Sequence, residues 1–249
     1  MISHLHLRLY TAEFLGTFLL VFAGPGAVVI NAISAGKVTT LGIGLSFGLA
    51  VMAAIYAIGH ISGAHINPAV TLAFAVTRHF PWSQVPGYLA AQLLGAVAAS
   101  SVTRLLFDNT AQLGASIPSG SALQALGLEV LLTFFLMFVI MAVATDVRAV
   151  GTAAALAIGG YVALAATFAG PIAGASMNPA RSFGPGLISG VWIAHWVYWL
   201  GPIVGAQLGA FAYRFIRIAS PPQPTPEKAA SPVQRRKQPL TLSMRRRGR

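Results

Sequence analysis

The chain contains no cysteine, and only five of its 249 residues are acidic. The first absence removes disulfide frameworks and thiolate metal sites. The second leaves little for acid–base chemistry: none of the five carboxylates stands at a useful spacing from a His, so the chain is not expected to be an enzyme. Neither a metal site nor a cofactor is expected. Charged residues of both signs make up 8%, against 56% hydrophobic, and the mean hydropathy is +0.73. A soluble globule would carry far more charge. Long apolar runs describe instead a polytopic membrane protein with the lipid bilayer as its surroundings. The formal net charge of +11 could suggest nucleic acid, but residues 219–249 hold eight of the sixteen Lys and Arg with one acid, Glu227. That charge belongs to a tail, and no nucleic-acid partner is expected.

What the chain does have is one stretch written twice. Residues 59–70 read GHISGAHINPAV and residues 170–181 read GPIAGASMNPAR, an offset of 111. In each, Asn (Asn67, Asn178) precedes Pro (Pro68, Pro179) and Ala (Ala69, Ala180). Pro suits the first position of a helix because its φ is already helical and it has no N–H to leave unsatisfied. Asn is a preferred N-cap, and if its oxygen caps the new helix its amide NH2 is left as a donor pointing away from the helix start. Each motif therefore reads as a helix N-terminus displaying an amide donor.

In chain order, a short leader over 1–8 with His4, His6 and Arg8 precedes a first span over about 9–30. It is too long for the apolar part of a signal peptide and lacks a small-residue cleavage pattern, so it is expected to be retained. A second span covers about 39–59, and the first motif follows. The apolar run from Ala69 to Thr77 is about nine residues, roughly 14 Å of helix against a hydrocarbon core of about 30 Å, and so half a crossing. A third span covers about 86–107. The second half repeats this order with spans at about 123–144, 152–169 and 192–216, and a short apolar run from the second motif to Ile188. AEFLGTFLLVF (Ala12 to Phe22) resembles LEVLLTFFLMF (Leu128 to Phe138), with Glu13 matched to Glu129.

Three spans per half is an odd number, so the repeats, about 9–107 and 123–216, must be inverted and the two motif loops must enter from opposite faces. The predicted fold is an all-α polytopic membrane protein of six transmembrane helices plus two re-entrant half-helices. The non-helical stretches 62–66 and 173–177 cannot face lipid, where their carbonyls would be unsatisfied, and must line a wet path. Small residues four apart, Gly44 and Gly48 or Gly201, Gly205 and Gly209, permit close helix contact; the alternative is that glycine is simply common in membrane helices. Arg8, Arg78, Arg148, Arg214, Arg217 and the tail fall on one side, which by the positive-inside rule places both termini in the cytoplasm. The tail, 218–249, combines six prolines with basic clusters and is expected to be disordered there.

The doubled Asn-Pro-Ala motif, an acidic residue early in each half and Arg181 directly after the second motif resemble the aquaporin, or major intrinsic protein, family over residues 8–217. GPIAGASMNPARSFGP is similar to the nodulin-26-like branch and its bacterial relatives. The resemblance implies a homotetramer with one pore per subunit, passing water or small uncharged solutes, with a bacterial inner membrane as the expected location. It also implies a narrow filter at Phe47 on the second span, Ala166 on the fifth, Ala175 three before Asn178, and Arg181. Water-selective relatives usually have His at the position of Ala166. Glycerol facilitators usually have Trp at that of Phe47 and Asp at that of Ser182. This filter matches neither. Two alanines predict a cross-section larger than one water, suited to glycerol or arsenous acid, unless Ile43 or Met177 fills the space and restores a water-selective pore.

Other roles stand beside these. Arg181 could line the pore or form a structural ion pair. Glu13 and Glu129 could couple protons, although symmetric placement and the resemblance favour acceptors that brace the motif loops. His60 and His65 are expected to hydrogen-bond locally. An ion-coupled secondary transporter would also use inverted repeats and broken helices. Flux that does not saturate and ignores ion gradients would discriminate against it.

Overall fold

The computed structural model describes residues 4–145 and 153–217. The expectation of a disordered cytoplasmic tail falls on 218–249, outside the described residues, as does Arg148. Among the described residues there are eight α-helices: α1 (His4–Ile33), α2 (Thr39–Ser62), α3 (Pro68–Val76), α4 (Val85–Phe107), α5 (Ala122–Thr145), α6 (Ala154–Ala173), α7 (Pro179–Ser189) and α8 (Val197–Ile216). Five of them, α1, α2, α4, α5 and α6, are long and apolar enough to cross a membrane. The sixth span is α8, twenty residues whose apolar character is diluted by Gln207, Pro202 and aromatic residues.

The two short helices follow from their first residues. Asn67 and Asn178 are N-caps in extended backbone, with Pro68 and Pro179 at the first helical position. Helices α3 and α7 have nine and eleven residues, together twenty, or about 30 Å at 1.5 Å per residue, which matches one crossing of the hydrocarbon core.

Several ends differ from the sequence reading. Helix α1 runs through the leader from His4 and through Pro25 to Ile33, and α6 continues past residue 169, through Pro171, to Ala173. A proline removes one helical hydrogen bond, but neighbouring helices keep the segment in place. Helix α8 starts at Val197 rather than near Trp192, because residues 193–196 form a turn in which Ala194 has φ 47°. Helix α2 ends at Ser62, so the first extended stretch begins one residue later than expected.

The packing repeats the internal symmetry. Helix α1 lies against α4 and α2, α5 lies against α8 and α6, and α2 crosses α6 at the junction of the halves. The α2–α6 crossing is close because Gly48 and Gly159 face each other: a Cβ on Gly48 would stand 2.4 Å from the Gly159 carbonyl oxygen, and a Cβ on Gly159 2.6 Å from that of Gly48. The outer faces carry Leu41, Leu45, Leu49, Leu131, Leu164 and Phe168, all exposed, as expected of surfaces solvated by lipid.

Candidate functional site

The two motif loops meet at the middle of the bundle through an exchange of hydrogen bonds. The Oδ1 of Asn67 accepts from the Ala69 amide at 2.9 Å, and that of Asn178 accepts from Ala180 at 3.0 Å and Arg181 at 3.4 Å. The Nδ2 of Asn67 donates to the Met177 carbonyl, and the Nδ2 of Asn178 to the Ile66 carbonyl, each at 2.8 Å. The amide NH2 left over from each cap therefore donates across to the opposite loop. One N–H of each Asn ties its loop to the opposite loop, and the second remains for the cavity that both side chains line.

The loops leading to the caps are strained in the same places. Helices α2 and α6 end on left-handed glycines, Gly63 (φ 86°) and Gly174 (φ 80°), and positive φ recurs at Ala64 and Ile66 in one loop and at Ala175 and Met177 in the other. Such backbone costs roughly 1–3 kcal/mol per residue and persists where the surroundings over-determine it. The buried carboxylates do so here. Glu13 accepts from Ser62 Oγ at 2.7 Å, the His65 amide at 2.9 Å, the Ile66 amide at 2.6 Å and Gln92 Nε2 at 2.8 Å. Glu129 accepts from the amides of Ser176 at 2.6 Å and Met177 at 2.7 Å. Ile66 and Met177 therefore each give their N–H to the Glu of their own half and their carbonyl to the Asn of the other.

Arg181 is buried, and its guanidinium stands over the Phe47 ring with Cζ 4.9 Å from the centroid. Its NH1 donates to the Gly114 carbonyl at 3.0 Å and to Ser116 Oγ at 2.7 Å. These partners are neutral, unlike those of a structural ion pair. Ser116 continues into a chain of hydroxyls, to Ser182 at 2.7 Å and from Ser182 to Ser176 at 2.5 Å, and Ser176 donates to the Asn178 carbonyl at 2.8 Å. The filter arginine is thereby linked to the second motif.

A cavity of about 680 Å³ extends from Tyr56 and His60 past Asn67 and Asn178 to Phe47, Ala175 and Arg181. Met177 lines it, whereas Ala166 and Ile43 do not reach its wall; Ala166 is buried beside it in the same cluster as Phe47 and Ala175. His60 stands at the mouth. His65 is buried, pairs through Nδ1 with Thr71 Oγ1 at 3.1 Å, and packs among the rings of Phe74, Phe80 and Tyr88.

Sequence reasoning missed Ser62 and Gln92 as partners of Glu13, Tyr88, which donates to the Ser62 carbonyl at 2.8 Å, and the Gly114–Ser116 segment that holds Arg181. Gln92, Tyr88 and the Gly114–Ser116 segment lie outside the repeated strings, and Ser62 stands in the first string where the second has Ala173. Gly114 closes a turn in which Ala111, Gln112 and Leu113 all have positive φ, and helical or strand periodicity carries no signal for such a segment.

Six spans and two opposed half-helices around a continuous lined cavity define a membrane-embedded channel of the inverted-repeat type. The comparisons make the class specific. The family model described as major intrinsic protein matches residues 1–213. Aquaporin NIP1-1 of Zea mays is 53% identical over 212 residues, covering 85% of this chain and 75% of its own, and nodulin-26 of Glycine max is 48% identical over 226 residues, covering 90% and 83%. Among solved structures, the aquaglyceroporin from Plasmodium falciparum superposes with TM-score 0.78 at 27% identity, over 85% of this chain and 96% of that one. The chain belongs to the major intrinsic protein family and is an integral membrane protein. These sequence relatives are plant proteins, which corrects the bacterial qualifier and removes the ground for a bacterial inner membrane.

Proposed function

We propose that the chain is a passive channel for water and for neutral solutes of glycerol or arsenous-acid size, excluding ions and protons. The observation that carries this reading is the cavity that runs past both Asn residues to a filter with Phe47 and Arg181 on its wall and a single methyl group at Ala175. Hydroxyls of a solute would face the Arg181 guanidinium and the remaining N–H of each Asn, while its less polar face lies on Phe47. The name of one similar structure, an aquaglyceroporin, accords with a solute range beyond water. The N-termini of α3 and α7 both point at the crossing of the loops, and their partial positive charge, with that of Arg181, opposes cations; this is the account given for aquaporin-type pores in general. Glu13 and Glu129 act as loop braces. The active form is a homotetramer with both termini cytoplasmic, as the family and the distribution of Arg8, Arg78 and Arg214 favour.

Stopped-flow light scattering on proteoliposomes tests the solute range with water, glycerol, urea and arsenous acid. All four should pass well above protein-free vesicles. Ala166→His, which adds a ring beside Phe47, should reduce glycerol and arsenous-acid flux by an order of magnitude or more while sparing most water flux, because a single added side chain of this size fills the space that separates the two solute sizes. A parent protein that passes water and excludes the other three is water-selective, with Met177 as the first candidate for what fills the filter.

A further inference from the structure

We infer that Gly24, on α1, is a positioning residue that sets the width of the filter: the volume of its missing side chain is where the Phe47 ring sits when the path is open. The inference rests on the reading of Phe47 as a filter wall.

A Cβ built on Gly24 would lie 2.3 Å from both Cδ1 and Cε1 of Phe47 and 2.8 Å from Cζ, and its three nearest neighbours are all atoms of that ring. Comfortable carbon–carbon contacts are about 3.5–4.0 Å, so one methyl group would force the ring to move by about 1 Å or more. The ring has little choice of direction. It belongs to the buried core, Arg181 stands over it at 4.9 Å, and Leu20, one helical turn before Gly24, lines the same cavity. The space that Phe47 borders is the cavity itself. Displacement therefore narrows the path, or drives the ring against the guanidinium.

The next residue supports the other wall. A Cβ on Gly114 would lie 2.6 Å from the Pro25 carbonyl oxygen and 2.8 Å from its Cα, so Gly114 is pressed onto α1 at Pro25. The Gly114 carbonyl accepts from Arg181. Two consecutive residues of α1 thus back the aromatic wall directly and the arginine wall through one hydrogen-bonded residue, although neither was singled out by the sequence motifs.

The test compares Gly24→Ala, Phe47→Leu and the double variant in proteoliposomes, with permeability normalised to the amount of assembled channel. Gly24→Ala should lower the ratio of glycerol to water permeability by on the order of tenfold, the rate equivalent of a modest overpacking penalty. In the double variant the ratio should return to that of Phe47→Leu alone, since the truncated side chain no longer meets the methyl group, and this non-additivity is the signature of direct contact. Assembly restored by the double variant where Gly24→Ala fails to assemble supports the same conclusion. An unchanged ratio in Gly24→Ala, a deficit that persists in the double variant, or failure of both to assemble overturns it. If the parent excludes glycerol, the proposed solute range fails on its own. The role of Gly24 is then read from water permeability, which must fall in Gly24→Ala and recover in the double variant.

Discussion

Replacing Glu13 with Leu is expected to prevent the chain from reaching a stable solubilised form, whereas Glu129→Leu yields a folded but weakened protein. The ranking follows from what each carboxylate holds. Removing Glu13 leaves the Ser62 hydroxyl and the amides of His65 and Ile66 without their acceptor, and leaves Gln92 Nε2 with Thr71 Oγ1 alone. A buried donor left unpaired costs about 1–3 kcal/mol, and far more is lost by removing one partner than by replacing both. Even with partial relaxation the total reaches several kcal/mol, comparable to the ~5–15 kcal/mol that separates many folded proteins from their unfolded chains. The same bonds restrain the left-handed residues Ala64 and Ile66, whose strain is then released by the loop opening. Among the described residues Glu129 holds two amides, those of Ser176 and Met177, so its loss costs roughly half as much. Glu13→Gln, which keeps one acceptor oxygen but turns an NH2 toward existing donors, should fall between wild type and Glu13→Leu. Apparent melting temperature in detergent, followed by loss of the size-exclusion peak, checks the order; Glu129→Leu as the more damaging change would contradict it.

The second large effect concerns Arg181. Arg181→Ala should retain or raise the flux of neutral solutes and admit protons and small cations that the parent excludes. A unit charge about 4 Å from a passing cation opposes it by about 4 kcal/mol at an effective dielectric constant of about 20, which is roughly a thousandfold in rate. The helix termini at Asn67 and Asn178, each equivalent to about half a positive charge, remain in place, so the leak should be partial. The loss of two NH1 hydrogen bonds also frees the Gly114–Ser116 segment on that side of the filter. Dye-loaded vesicles under a pH gradient provide the measurement. Exclusion as complete as in the parent would assign the whole barrier to the half-helix termini.

The parts of this architecture that could be read from the sequence are those written twice. The paired Asn-Pro steps give the half-helices, because proline at a first helical position and Asn at a cap have a direct local meaning. The matched Glu13 and Glu129 mark equivalent positions even though nothing local says what they bind. Proline inside a long apolar segment is less legible: Pro25, Pro171, Pro185 and Pro202 all lie within helices, since tertiary packing outweighs the local bond each removes. The supports of the site were the least visible. Gln92 and Tyr88 on α4 reach Glu13 and Ser62 across the bundle, and the Gly114–Ser116 segment reaches Arg181 from sixty-five residues or more away in the chain. Such contacts depend on how helices pack, which a repeat or a motif does not encode. Asn67 and Asn178 show the limit from the other side: the cap was legible, but the bond from each NH2 to the opposite loop requires both halves to be in place.

The central claim, a passive pathway for neutral solutes closed to ions, is tested most directly by glycerol efflux and proton leak measured in the same proteoliposomes. Efflux should rise linearly with glycerol concentration without saturating, and should be unaffected when a pH gradient or membrane potential is imposed. Proton leak should stay at the level of protein-free vesicles throughout. Glycerol movement that saturates and follows the imposed proton gradient would contradict the channel and identify an ion-coupled transporter in its place.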